Sequence, residues 1–205
     1  MAETRPLRAV HPLAAWEPAF ATLSRELGDR PGADLTIELV HIGLATNLRL
    51  SPGPAADAVS AVLGAPVPTR ANTFTSTDDG EIVWLGPDEW LVTSRHARPH
   101  AGEAALTALV AEHGGSAVDV SGQRVALRLR GALVREVLAT LCALDLHPSE
   151  FPAGRSAQTL LAQVGVVLLA LGHGDDYLLH VRPSFAGHLA GRLLDAAQEF
   201  RVAPR

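Results

Sequence analysis

The sequence predicts an α+β fold written twice, with two antiparallel sheets and helices segregated to one side. Three observations predict it. Each half of the chain reads in the same order, strand–helix–strand–strand–strand–helix. A phrase recurs at the same point of both halves: residues 85–95 (LGPDEWLVTSR) align, with one insertion, to residues 171–182 (LGHGDDYLLHVR). The identical pairs are Leu85/Leu171, Gly86/Gly172, Asp88/Asp175, Leu91/Leu178 and Arg95/Arg182. Finally, hydrophobic residues make up 47% of the 205 and charged residues only 19%. That suits a core-rich chain with little polar surface to spare, since charged residues are usually about 25%.

The elements follow in order. Residues 1–34 form an N-terminal arm punctuated by Pro6, Pro12, Pro18 and Pro31, so no long helix precedes Pro18. Leu13, Trp16, Phe20 and Leu23 recur at roughly helical spacing. The arm either packs on its own domain or lies on another subunit. Residues 35–115 form the first α+β half. Asp34 to Leu50 alternates as one or two strands, and Ser51-Pro52-Gly53-Pro54 ends it. Val59, Val62 and Leu63 share a helical face in 55–63. Residues 72–76 and 81–85 read as a hairpin about Asp78-Asp79-Gly80, 89–93 as a strand and 103–112 as a helix. Residues 116–205 form the second half. Its strands are 117–120, 124–130, 157–163, 166–171 and 177–181, with Gly165 as the break between two of them. Its helices are 133–141 and 185–200, the latter started by Pro183-Ser184.

The inventory excludes several chemistries. All seventeen basic residues are arginine, so no lysine amine can serve a P-loop, a Schiff base or a catalytic base. Cys142 is the single cysteine, which excludes an internal disulfide and a multi-cysteine zinc site. The longest apolar run, Val164 to Leu171, is far short of a membrane span. The first residues carry no apolar stretch of the secretory kind. A net charge of −5 without a basic cluster argues against nucleic acid. The expectation is a cytoplasmic protein with neither membrane nor nucleic-acid partner.

Motifs add little. Gly172-His173-Gly174 lies between strands and reads as a turn. His96 and His100 are four apart, but Pro99 between them spoils a helical ligand pair. Asp119, Ser121 and a histidine form no recognisable triad. Arg124, Arg128 and Arg130 alternate along one strand and share a face, with Arg135 and Arg155 available nearby. Such a row either binds an anion, because guanidinium forks fit carboxylates, or is spent on ion pairs. No catalytic, cofactor-binding or metal residue is expected.

A resemblance enters through 118–127 (VDVSGQRVAL), Gly131, the helix from Val134 to Leu141, Phe151-Pro152-Ala153-Gly154-Arg155, Thr159-Leu160-Leu161 and Asp175-Asp176-Tyr177-Leu178-Leu179. In order and spacing these are similar to the folate-binding domain of the aminomethyltransferase (T-protein) family over roughly 117–200, and more weakly over 35–115. The phrases 84–91 (WLGPDEWL), 118–124 (VDVSGQR), 151–154 (FPAG) and 181–186 (VRPSFA) resemble the gamma-subunit family of heterotetrameric sarcosine oxidases more closely. The resemblance implies a pseudo-duplicated, aminomethyltransferase-like fold. It also implies an accessory, structural chain among alpha, beta and delta partners. That flavin-dependent assembly oxidises sarcosine to glycine with oxygen as acceptor, and the one-carbon unit leaves as formaldehyde or on tetrahydrofolate. FAD, FMN, NAD and tetrahydrofolate are expected on the partner subunits and no cofactor on this chain. Aminomethyltransferases carry an acidic residue shortly after a Gly-Val pair; here Gly165-Val166 is followed by Val167, Leu168 and Leu169. Aliphatic side chains cannot replace a carboxylate in proton transfer, so the family's site is expected to be filled. Trp16, Phe20, Arg124 and Arg155 are the candidate subunit-interface residues. The alternative is a stand-alone folate-binding one-carbon-transfer protein, in which Arg155 or Arg182 would hold the folate tail; an anion-sensing module built on the Arg124, Arg128, Arg130 row is a third reading.

Overall fold

The computed structural model describes residues 10–28, 32–97, 103–172 and 174–201. A 3-10 turn at Ala14–Trp16 leads into α1 (Glu17–Gly28). The first set of elements is β1 (Thr36–Val40), β2 (Leu44–Arg49), α2 (Pro54–Leu63), β3 (Phe74–Ser76), β4 (Glu81–Gly86), β5 (Glu89–Ser94) and α3 (Glu103–Ala111). The second is β6 (Ser116–Asp119), β7 (Val125–Arg130), α4 (Val134–Ala139), β8 (Ser156–Leu161), β9 (Val164–Ala170), β10 (Asp176–Val181), α5 (Pro183–Ala196) and α6 (Gln198–Arg201).

Two five-stranded sheets result, ordered β3-β4-β5-β2-β6 and β8-β9-β10-β7-β1. Written this way the duplication is visible, since β2 to β5 map onto β7 to β10. The outermost strands are exchanged. β1 pairs with β7, with Glu38 opposite Arg128, and β6 pairs with β2, with Asn47 opposite Val118. A boundary at 115/116 therefore does not separate the sheets: the strand preceding each half completes the sheet of the other. Local periodicity carries no information on that pairing. The cross-strand charge match between Glu38 and the β7 arginines was the available signal.

Alternation within the strands builds four layers. Leu48, Ile82 and Trp90 of the first sheet face Val59 of α2 and Val110 of α3. Leu127, Leu129, Leu168 and Leu179 of the second sheet face Phe20 and Leu23 of α1, Val137 of α4 and Leu189 of α5. The opposite faces meet each other through Ala45, Val83 and Leu91 on one side and Ala126, Val167, Leu169 and Leu178 on the other. The repeated aromatic position is buried in both copies. The Trp90 indole N–H donates to the Pro68 carbonyl at 2.7 Å, and Tyr177 stacks on Phe151 with ring centroids 6.4 Å apart.

Two expectations need correction. The break in 157–171 is not Gly165, which lies inside β9. Leu161 pairs with Val164, so the turn is Ala162-Gln163, both at positive φ (50° and 67°). A two-residue hairpin of this hand matches the twist of its strands, and it forms here without the glycine that usually marks it. The second is Phe20 as a subunit-interface residue. The described part of the arm, from residue 10 to 28, lies on its own second sheet, one of the two placements its sequence left open. Phe20 is 2% exposed inside that core, so its side chain is not free to meet another subunit. Residues 1–9 and 29–31 lie outside the described residues, as do His100 and His173.

Trp16 rests on α5 over the notch left by Gly187 and Gly191. A β-carbon at Gly191 would lie 3.4 Å from the indole and one at Gly187 3.7 Å. Filling this notch should lift the arm. Gly191→Leu is expected to destabilise the protein by about 1–3 kcal/mol, the usual cost of overpacking, and to make the arm the first site of limited proteolysis. Unchanged melting and unchanged cleavage would disprove the seating of Trp16.

Candidate functional site

Arg124, Arg128 and Arg130, a row by sequence, have separate fates. Arg128 grips Asp176 with both ends of its fork, at 2.9 and 2.6 Å. Arg130 pairs with Glu38. For these two the ion-pair alternative holds. Arg124 forms no ion pair among the described residues. Its Nε is buried without a hydrogen-bond partner, and one terminal nitrogen donates to the adjacent Gln123 carbonyl at 3.1 Å. Burial, followed by the neighbouring Arg182 guanidinium, lowers its pKa from the ordinary value. The carboxylate whose charge acts on it is Glu89, already held by Asn47 and Arg49 at 2.8 and 2.7 Å.

Arg124 opens onto a cleft of about 620 Å³ on the inner face of the second sheet, where Arg182, His180, Gln158, Leu160, Gly165 and Val167 also line it. Strand geometry fixes the set. Val125 and Val181 are register partners, so Arg124 and Arg182 are the next pair outward. His180 is two residues before Arg182 on β10 and shares its face. His180 pairs across to Val167, and Gln158 pairs to the same valine from β8. The Gln158 amide donates to the Leu85 carbonyl at 2.8 Å, bridging to the first sheet.

His180 is 1% exposed and neither ring nitrogen has a partner. Burial, and then the positive charges of Arg124 and Arg95, lower its pKa to about 4. The ring is therefore neutral at pH 7. A buried polar group without a partner costs about 1–3 kcal/mol, and among the described residues His180 is the one with two such atoms.

The first half shows the same position completed. By the repeat, Thr93 corresponds to His180 and Arg95 to Arg182. In the first half Glu81 serves both: its carboxylate accepts from the Thr93 hydroxyl at 2.8 Å and from the Arg95 guanidinium. Glu81 is 4% exposed. The residue of β9 in the place of Glu81 is Val167. The second half thus keeps the arginine and a polar side chain and lacks the acid between them.

The other sequence-predicted residues are not gathered here. Trp16 lies on α5 and Phe20 in the helix-side core. Arg155 sits by a second cleft with Arg70, Thr73 and Glu150, where an isolated bridge from Thr73 ties the sheet edges; its Nε is buried and unpartnered. Sequence reasoning named Arg124 and Arg182 but not His180 as part of a site. The aliphatic run after Gly165-Val166 is core on both faces, with Val166 and Leu168 toward the helices and Val167 and Leu169 between the sheets. Among the described residues no helix is long and apolar enough to cross a membrane.

Comparison with known proteins gives consistent results. The model of the sarcosine oxidase, gamma subunit family matches residues 50–199. The sarcosine oxidase subunit gamma of an Arthrobacter species is 34% identical over 168 residues, 80% of this chain and 81% of that one. Its counterpart in Corynebacterium sp. (strain P-1) is 31% identical over 173 residues, 82% and 84% of the two chains. A chain of the heterotetrameric sarcosine oxidase from Corynebacterium sp. U-96, solved with pyrrole 2-carboxylate, superposes with a TM-score of 0.82 at 29% identity, covering 96% of this chain and 98% of that chain. The aminomethyltransferase T of the glycine cleavage system from Bartonella henselae shares the fold, with a TM-score of 0.59 at 16% identity, over 87% of this chain and 50% of that chain.

Proposed function

Since this chain belongs to the sarcosine oxidase gamma-subunit family, we propose that it is the accessory, non-catalytic subunit of a heterotetrameric, flavin-dependent sarcosine oxidase. The observation that carries the reading is the superposition of nearly the whole chain on nearly the whole of one chain of such an assembly. Its partners are then the alpha, beta and delta subunits. FAD, FMN, NAD and tetrahydrofolate reside on those partners, and the assembly works in the cytoplasm. It oxidises sarcosine to glycine, and the one-carbon unit passes to tetrahydrofolate or leaves as formaldehyde.

The surface supports an accessory role. Val62, Val118, Leu160 and Phe185 are each at least half exposed, and a subunit that spends its life covered tolerates such side chains. Trp16, half-buried on α5, and Arg155, with its unpartnered Nε, are the contact residues we propose from the arm and from the sheet edge. The family's acidic position is occupied by core aliphatics, which supports a chain relieved of folate chemistry.

Expression decides the matter. Produced alone, the chain should aggregate or unfold at low temperature; co-expressed with alpha, beta and delta, it should elute with them in equal stoichiometry. A monodisperse monomer that passes through a column bearing its partners would overturn the reading.

A further inference from the structure

We propose that the cleft between Arg124, Arg182 and His180 binds a small organic carboxylate, which supplies from outside the acid that Glu81 supplies within the first half. Three observations carry this beyond the accessory role, and none depends on it. The first is the broken repeat. Where Glu81 joins Thr93 to Arg95, Val167 stands opposite His180 in the equivalent place, and the cation has lost its internal partner.

The second is the set of unsatisfied donors. Arg124 and Arg182 are adjacent and make no ion pair among the described residues, and His180, 1% exposed, has neither ring nitrogen bonded. Two like charges side by side at the mouth of a cleft cost energy until an anion lies between them. A carboxylate offers two oxygens and about four acceptor directions, enough for both guanidiniums and one imidazole N–H.

The third is the shape and lining. The volume, about 620 Å³, falls within the range of about 300–1,000 Å³ usual for small-ligand sites. Leu160, Val167 and the bare backbone of Gly165 form its apolar part. No atom lies within 4 Å of where a Gly165 β-carbon would be, so a flat body has room there. An inorganic anion would leave these walls unused. An acid with an apolar or aromatic body uses both the cations and the walls.

The test uses the chain assembled with its partner subunits, crystallised and soaked in millimolar para-bromobenzoate, whose bromine is located by anomalous scattering. A bromine peak in the cleft is expected, with the carboxylate between Arg124 and Arg182. Arg182→Gln should weaken binding about tenfold or more, as for loss of a charged hydrogen bond. Val167→Glu, which restores the acid of the first half, should abolish it. A wild-type cleft without bromine overturns the proposal, as does one already filled by a partner subunit's side chain. Undiminished binding by R182Q overturns it as well, and that outcome needs only a variant altered at an exposed position.

Discussion

Replacing Gly131 by alanine is expected to cost about 4 kcal/mol or more, the sum of a forbidden backbone conformation and an overpacked contact. Gly131 follows β7 with φ at +121°, where side-chain-bearing residues rarely go. A β-carbon there would sit 2.2 Å from the Asp34 carbonyl oxygen and 2.8 Å from its carboxylate. Neither neighbour is free to retreat. The Asp34 carbonyl accepts from the Leu133 N–H at 3.2 Å, and Gly131 itself donates to the Asp175 carbonyl at 2.9 Å. The residue thus pins together the entry to β1, the exit from β7 and the turn before β10. Those three segments fix the exchanged strand in its sheet. A domain with about 5–15 kcal/mol in hand would fail to accumulate, or would melt far below the wild type. The control is Gly165→Ala: no atom waits within 4 Å, so a change within about 0.5 kcal/mol is expected. Equal melting temperatures for G131A and G165A would refute the crossing.

Much of the architecture was legible because it is local. The helix at 55–63 was bounded by the Ser51-Pro52-Gly53-Pro54 break and carries Val59 into the core, although Val62, expected on the same face, is exposed. The hairpin about Asp78-Asp79-Gly80 does so by its turn residues. What escaped was long-range or depended on hand. Nothing in the alternation of residues 36–40 says that they pair with β7 rather than with their own half. Ala162 and Gln163 are poor predictors of a left-handed turn, so the glycine three residues on drew the break to itself. Phe20 looked like a docking residue because prolines flank it. Its burial depends on a sheet that is completed some hundred residues later.

The candidate site was half legible for a similar reason. The pairing of Arg95 with Arg182 in the repeat was visible, yet an arginine matched to an arginine suggests equivalence. The difference lay on the neighbouring strand, in Glu81 against Val167, and became meaningful only once register placed both beside the repeated arginine. Arg128 and Arg130 were equally good candidates on paper. Only the positions of Asp176 and Glu38 show that they are spent.

Acid should destabilise the protein in a window set by His180. Its ring is held neutral in the fold with a pKa of about 4, against an ordinary 6.5. Between those values the unfolded chain binds a proton that the folded one refuses. Stability therefore rises with pH across the window: it is full above about 6.5 and falls as the pH drops towards 4. The expected loss is roughly 3 kcal/mol at the lower end. Asp79 contributes in a different range. Hydrogen bonds, first from Ser94 and then from His96, hold its pKa near 2, so its contribution is lost only as the pH falls from 3.8 towards that value. His180→Leu separates the two. The variant lacks the His180 ring and its two orphaned nitrogens, so its stability should fall much less than the wild type's between pH 6.5 and about 4; the slope that remains there has a source in the half-buried His11, whose pKa burial also lowers. The measurement is the melting temperature of both proteins across this range. Parallel curves for wild type and H180L would place the acid sensitivity elsewhere and would mean that the buried imidazole takes up its proton without opposition from Arg124 and Arg95.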